Sequence, residues 1–434
     1  MRKWILKTSN STLVKASFWN GVASFITIFS SLVSSKITAV YLGPAGVALL
    51  GQFMNAASMA MSIAAPGINC GVIKYTAENF DNPKSRSDLI STGFVITLWG
   101  SVIVTICIIF SRTYLSNKFF HTDKYALIFG ILGGTIILFT LNAFLLSILS
   151  GYKEFKKVAI INMLGSIVSL LVSIILTVRF GVCGAFLGYI LSQILIFFIT
   201  LLFVIKSACF KLANFCSGPD FNSLKKLLHF SLMSFTTIFA VAFIQFQIRN
   251  YLIQNLSIEQ AGYWQGIIRI SDLYLAFITM TLSVYYLPQL SELNKREDLR
   301  KEIFKGYAFI LPLAAGSAVI IFILREWIIQ TLLTKSFLPM MPLFLMQLTG
   351  DVFKIAAWLL AYLVVAKAMT KVFIITELFF GISLYILTIV FVSQMGVVGA
   401  TYAYALNCLF CLLVMVFIFR NILFSRGTSK NLNF

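Results

Sequence analysis

The sequence predicts an all-α integral membrane protein of about twelve transmembrane helices, set as two parallel six-helix repeats around a central cavity. Three observations carry this. The 434-residue chain is 59% hydrophobic and only 11% charged, with mean hydropathy +0.93, whereas a soluble chain of this size carries roughly a quarter charged residues. Apolar runs recur from Phe18 to Arg420 with short polar breaks, each near the ~20 residues a helix needs to cross hydrocarbon. Finally, the second half of the chain echoes the first.

In order, the spans of the first half fall near Ala16–Tyr41, Gly46–Val72, Leu89–Phe110, Tyr125–Ser150, Val158–Val178 and Cys183–Ile205. Those of the second fall near Leu227–Leu252, Gly262–Leu287, Phe304–Leu324, Phe337–Ala366, Val372–Gln394 and Val397–Phe419. The strands of a membrane barrel would be shorter and alternate in polarity. Pro66-Gly67 interrupts the second span and Pro312 lies within the ninth, where each removes or strains a helical hydrogen bond.

The echo is clearest between FGVCGAFLGYILSQ (Phe180–Gln193) and MGVVGATYAYALNC (Met395–Cys408), offset by 215 residues. At that offset Lys156 falls on Lys371 and Asn162 on Glu377, and Pro44-Ala45-Gly46 lies opposite Gln260-Ala261-Gly262 at nearly the same one. An offset close to half the chain, held at several places, is the mark of duplication. It divides the chain into a lobe over 1–205, a cytoplasmic linker over 206–226 and a lobe over 227–434. Within the linker, Ser217-Gly218-Pro219 is a turn signal and Phe210, Leu212 and Phe215 among lysines suit an interfacial segment.

The net charge of +19 is a topology signal. An even number of spans puts both termini on one side. Of the 34 Lys and Arg, the loops on that side hold most, against Arg112, Lys118, Lys124, Arg179, Arg249, Arg325 and Lys335 on the other. The positive-inside rule then places both termini in the cytoplasm and argues against a nucleic-acid partner. The seven cysteines imply no disulfide framework, and Cys408 and Cys411 read as small hydrophobes in a helix. His121 and His229 stand alone, so no metal site is expected, and there is no P-loop for ATP.

Six ionisable residues lie well inside spans: Lys36, Arg269, Asp272, Asp351, Lys354 and Glu377. Facing lipid they would together cost on the order of 15–20 kcal/mol, more than the ~5–15 kcal/mol that holds a protein folded. They are expected to face the bundle interior. Arg269 and Asp272, like Asp351 and Lys354, stand three apart on one helix face. Each couple is either an ion pair fixing helix register or part of a binding site. Arg249 and Lys74 sit near helix ends, where long side chains can snorkel. Counting these two, five cations oppose three acids, a balance suited to an anionic group, with Arg matched to phosphate oxygens. Tyr263, Trp264, Tyr274, Trp358 and Tyr362 lie nearby as candidate platforms for sugar rings.

The stretches YLGPAGVALLGQF, GVIKYTAEN, YWQGIIRISDLYLAFITMTLSVYYLPQLSEL and LTGDVFKIAAWLLAYLVVAKA resemble the flippases for O-antigen units and enterobacterial common antigen lipid III. Those belong to the multidrug/oligosaccharidyl-lipid/polysaccharide exporter superfamily. The resemblance covers nearly the whole chain and implies a transporter rather than an enzyme, with no catalytic residue and no cofactor. Its implied substrate is an undecaprenyl-pyrophosphate-linked oligosaccharide, moved from the cytoplasmic to the periplasmic leaflet of the bacterial inner membrane. A polysaccharide polymerase and a chain-length regulator are further candidate partners. The motif-matched positions are Lys36, Lys74, Asp272, Asp351 and Lys354; Arg249, Arg269 and Glu377 join them by helix position and charge. The cations Lys36, Lys74, Arg249, Arg269 and Lys354 are assigned to the substrate, and Asp272, Asp351 and Glu377 to proton or sodium coupling or to ion pairing. The alternative is a drug or metabolite exporter of the same superfamily; a cationic drug would want a net acidic cavity. A polymerase or ligase for the same lipid-linked sugars would carry a large periplasmic loop, and every outer loop here is short.

Overall fold

The computed structural model describes residues 2–80, 82–207, 218, 220–282, 286–293, 295–367 and 369–424. Most of the expected linker, with Phe210, Leu212, Phe215 and the turn at Ser217 and Pro219, lies outside the described residues. Among those described, the elements are helices and none is a strand. By packing, the chain divides into one unit of Met1–Leu42 and Gln52–Ala242 and a second of Gly43–Gly51 and Phe243–Phe434.

The helices follow from the apolar runs and their punctuation. Helix α1 (Arg2–Ala64) turns sharply at Gly43, whose φ of 63° is open to glycine, and Pro44 starts the next stretch of helix. The chain breaks again at Pro66-Gly67, as the sequence predicts, before α2 (Ile68–Glu78). Helix α3 (Pro83–Phe110) opens on an Asn82 cap, whose side chain accepts from the Ser85 amide at 3.2 Å, with Pro83 in the first turn. Then come the short α4 (Arg112–Phe120), α5 (Ala126–Gly151) and the long α6 (Phe155–Ile205), which folds back at Gly181.

The later helices run α7 (Phe221–Asn255), α8 (Ile258–Thr281), α9 (Leu287–Glu292), α10 (Arg296–Ile323), α11 (Arg325–Leu332), α12 (Leu343–Ala366), α13 (Thr370–Met395), α14 (Val397–Ile418) and α15 (Arg420–Phe424). Ser257 caps α8, accepting from the Gln260 amide at 3.2 Å.

Eight helices among the described residues are long and apolar enough to cross a bilayer. Two of them, Trp19–Ala64 and Phe155–Ile205, run 46 and 51 residues and bend at Gly43 and Gly181, so each supplies two crossings at ~20 residues apiece. Helices α7 and α8, 35 and 24 residues long, complete the twelve. Their embedded charges and amides dilute their hydropathy.

The repeat is visible in the element order. Helices α3, α4, α5 and α6 are followed, in the second half, by α10, α11, α12 and the α13–α14 pair. Gly181 and Gly396 adopt the same left-handed turn, with φ of 58° and 61°. Three residues beyond each, Gly184 lies against the Leu176 carbonyl and Gly399 against the Phe391 carbonyl, where a Cβ would clash. Both hairpins are therefore closed by backbone-to-backbone contact.

In the first unit, Ile68, Val72, Leu89, Phe144, Leu149, Ile161 and Leu227 form one core. Phe53, Phe120, Phe129, Phe186 and Tyr189 form an aromatic cluster, with Phe53 and Phe186 centred 4.6 Å apart. In the second, Leu282, Tyr286, Leu299, Ile303, Leu359, Leu363 and Phe419 pack around α12. Helix α12 is central there: 56% of its most apolar stretch is buried, against 6% for α13. The exposed Ile375, Phe379, Ile382 and Ile386 make α13 the lipid-facing side of the unit.

Candidate functional site

Six of the eight charged positions singled out from the sequence belong to the second unit, one on α7 and five on α8, α12 and α13. Asp351 sits on α12 with 0% exposure. Its carboxylate accepts three hydroxyl hydrogen bonds, each 2.7 Å: from Ser271 and Tyr274 on α8 and from Tyr404 on α14. A carboxylate taken from water needs such partners. The i,i+3 spacing suggests that Lys354 supplies one, but among the described residues no ion pair within 4.0 Å joins the two. Hydroxyls carried by neighbouring helices take that place. Lys354 instead holds its ammonium over two ring faces, 4.9 Å from the Trp358 centroid and 5.6 Å from that of Tyr404.

The other charges string out from this point. Lys354 lies within electrostatic range of Asp272 and Glu377 as well as of Asp351. Asp272, exposed on α8, lies in turn within range of Arg269 one turn away, and Arg269 of Arg249 on α7. Lys354, Arg269 and Glu377 are half-buried, so none is sealed off by packing.

Arg249 differs from its expectation. Its position near a helix end would let it snorkel; instead it is 1% exposed, donates to the Gln265 side chain and lies over Trp264, 5.5 Å from the ring centroid. The planar guanidinium suits this amide-and-indole enclosure better than a headgroup region.

Lys36 and Lys74 belong to the first unit. Lys36 is half-buried on α1. Lys74, on α2, is 45% exposed, 3.9 Å from Glu78 and 5.2 Å from the Tyr75 ring centroid. Within the second unit alone, then, three cations (Arg249, Arg269, Lys354) face three acids (Asp272, Asp351, Glu377), and the cationic excess of the sequence lies in the first.

The aromatic residues offered as sugar platforms have partners inside the unit. Trp264 lies under Arg249, Trp358 under Lys354, Tyr274 donates to Asp351, and Tyr263 meets Phe337 edge-on at 6.2 Å. Sequence reasoning missed Ser271, Gln265 and Tyr404. The first two are ordinary polar residues with no distinguishing spacing. Tyr404, however, stands opposite Tyr189 in the quoted echo, and Lys354 and Asp351 stand opposite Phe139 and Ile136 at the same offset. A charged pair facing an apolar counterpart is the signal that marks this place.

The comparisons with known proteins agree with the fold and sharpen the family. The lipid III flippases of Escherichia coli (strain K12) and Shigella flexneri are each 30% identical over 397 residues, covering 91% of this chain and 94% of theirs. Among solved structures, an inward-facing multidrug resistance transporter of the MATE family, MOP superfamily, superposes with TM-score 0.81 at 14% identity, over 91% of this chain and 94% of that one. The lipid II flippase MurJ, in an inward closed conformation, superposes with TM-score 0.76 at 17% identity, over 92% and 87%. A family model described as polysaccharide biosynthesis protein matches residues 47–342. With most of the chain covered by that model and by relatives of this identity, the chain belongs to the polysaccharide biosynthesis protein family of multi-pass membrane proteins.

Proposed function

We propose that the chain is a flippase for an undecaprenyl-pyrophosphate-linked oligosaccharide, a repeat unit of O-antigen or a related surface polysaccharide, carried from the cytoplasmic to the periplasmic leaflet of the bacterial inner membrane. The observation that carries this reading is Lys354: a cation at mid-helix in a membrane bundle, held by ring faces while the neighbouring acid is occupied by hydroxyls. A pyrophosphate cannot cross hydrocarbon unaided, and a lysine not neutralised by direct contact is a ready partner for it. The lipid tail need never leave the bilayer, so alternating exposure of the head-binding site to the two leaflets suffices. The lipid III flippases named above support the substrate class. A drug exporter is the weaker reading, since its support is a likeness of fold at 14% identity.

In this proposal Arg269 and Lys354 contact the pyrophosphate, and Arg249 contributes its charge from inside the wall. Lys36 and Lys74, in the first unit, remain candidate cations for the substrate. Asp272 and Glu377 are the acids placed to answer a proton or sodium gradient, and both termini lie in the cytoplasm. A polymerase and a chain-length regulator receive the product.

The test is deletion followed by analysis of lipid-linked intermediates. Accumulation on the cytoplasmic leaflet is expected, and unchanged intermediates with loss of some other small molecule's export would overturn the assignment. Transport in proteoliposomes with and without an imposed pH or sodium gradient tests the coupling acids. Indifference to both gradients would leave them as structural partners.

A further inference from the structure

The geometry points to Tyr404 as a positioning residue that holds the Lys354 ammonium ready for pyrophosphate, with Asp351 acting on the lysine through that ring. The inference rests on the function proposed above.

A lysine on four flexible carbons carries much rotamer freedom, and a binding site needs its ammonium in one place. An ion pair with Asp351 would fix it, but would also consume its charge. The structure does otherwise. Three hydroxyl donors at 2.7 Å take up the carboxylate, which has about four acceptor sites in all. One of those donors is Tyr404, and its ring, 5.6 Å from the ammonium, forms one side of the lysine's seat; Trp358 forms the other at 4.9 Å.

The ring is itself pinned. Its hydroxyl is anchored to Asp351, and Gly350 lies so close that a Cβ there would come within 2.6 Å of the ring's Cδ1. Hydrogen bonding to a carboxylate also pushes electron density back toward the phenol ring, strengthening its hold on a cation. A ring face holds an ammonium less tightly than a carboxylate does, so the lysine can pass to a phosphate oxygen without breaking a buried ion pair. Asp351, at 0% exposure, touches no ligand in this conformation and works only by what it orients.

The first unit supplies the control. There Tyr189 holds the corresponding place, with Phe139 edge-on at 6.2 Å where the second unit has Lys354, and Ile136 where it has Asp351. The tyrosine belongs to the seam of both halves; only in the second do an acid and a base use it.

The experiment measures binding of undecaprenyl pyrophosphate to the purified full-length protein by native mass spectrometry, with undecaprenol as the phosphate-free control. Tyr404→Leu is expected to weaken pyrophosphate-dependent binding by about tenfold. In a Lys354→Met background it is expected to add nothing, because the ring acts through the lysine. Equal losses in both backgrounds would reduce Tyr404 to a packing residue and overturn the inference. Phenylalanines bearing successively more ring fluorines, placed at position 404, keep size and shape while draining the ring face, so the outcome does not depend on how Tyr404→Leu folds. Affinity should fall stepwise along that series, and indifference to fluorine would sink the positioning role. Full binding by Lys354→Met alone would sink the parent assignment of Lys354 to the pyrophosphate, a result distinct from either of these.

Discussion

In the first unit the seam of α5 and α6 is filled by rings: Tyr189 meets Phe139 at 6.2 Å and Phe53 at 6.0 Å, with Ile136 fully buried nearby. In the second, the matching seam of α12 and α14 holds Asp351, Lys354 and Tyr404. The backbone frame is common to both, down to the left-handed glycine turn and the carbonyl contact beyond it. What differs is chemistry alone. The frame does not need the charges, since one copy folds without them; the charges need the frame, since Asp351 requires hydroxyls from two other helices. Where a duplicated seam holds charged groups in one copy only, that copy is where the seam's function is to be sought.

The sharpest way to break this comparison is to move the acid. Ile136→Asp places a carboxylate in a ring-lined site where Phe139 takes the place of Lys354 and the Tyr189 hydroxyl alone stands where a donor to Asp351 does, in place of Tyr404. It should destabilise the protein by about 3–5 kcal/mol, the order expected for an uncompensated buried charge. Thermal unfolding of the detergent-purified protein and its level in membranes would both register this, and a stable variant would mean that the first unit hides an acid-tolerant site.

Lys354→Ala should do the reverse, sparing the fold and stopping transport. Because the hydroxyls keep Asp351 satisfied, stability should fall by only about 1 kcal/mol, while surface polysaccharide falls at least about tenfold. Arg269→Ala should behave alike, with Arg269→Lys restoring part of the activity since it lacks the planar fork. The double change Asp351→Ala with Lys354→Ala should be no better than Lys354→Ala alone. Recovery of transport in that double variant would make the pair structural.

A smaller effect is expected for Asp351→Asn. The amide can keep some of the three hydroxyl partners but must donate as well as accept, at about 1–2 kcal/mol. Its transport defect should exceed that loss of stability, and activity measured at matched protein level separates the two.

Smallest of all, Tyr189→Phe should shift stability by about 0.5 kcal/mol or less and leave transport intact, whereas Tyr404→Phe impairs it. Similar behaviour of the two tyrosines would erase the distinction between the units.

Much of the frame was legible in the sequence because hydrophobic length and helix breakers act locally. Spans of ~20 residues, the interruption at Pro66-Gly67 and the echo around Gly181 and Gly396 need no tertiary information. The charged positions were legible too, since embedding an ionisable group is costly enough to stand out. Their partners were not. Asp351 draws its hydroxyls from residues 80, 77 and 53 positions away, so the local i,i+3 lysine looked like the natural partner and was not. Arg249 misled in the same way: closeness to a helix end suggests snorkelling, but Gln265 and Trp264 arrive from the next helix to enclose it.

The glycine hairpins at Gly181 and Gly396 bear on how the chain enters the membrane. Each joins two crossings with almost no loop, and each is closed by a contact spanning only eight residues, Leu176 to Gly184 and Phe391 to Gly399. Contacts so local form early and with little loss of chain entropy. Each pair of helices can therefore leave the insertion machinery as a finished hairpin, with no sizeable polar segment to thread across. The chain closes each half of its duplication with a piece whose two arms meet through a local contact, and Tyr189 and Tyr404 stand about two turns beyond the bends.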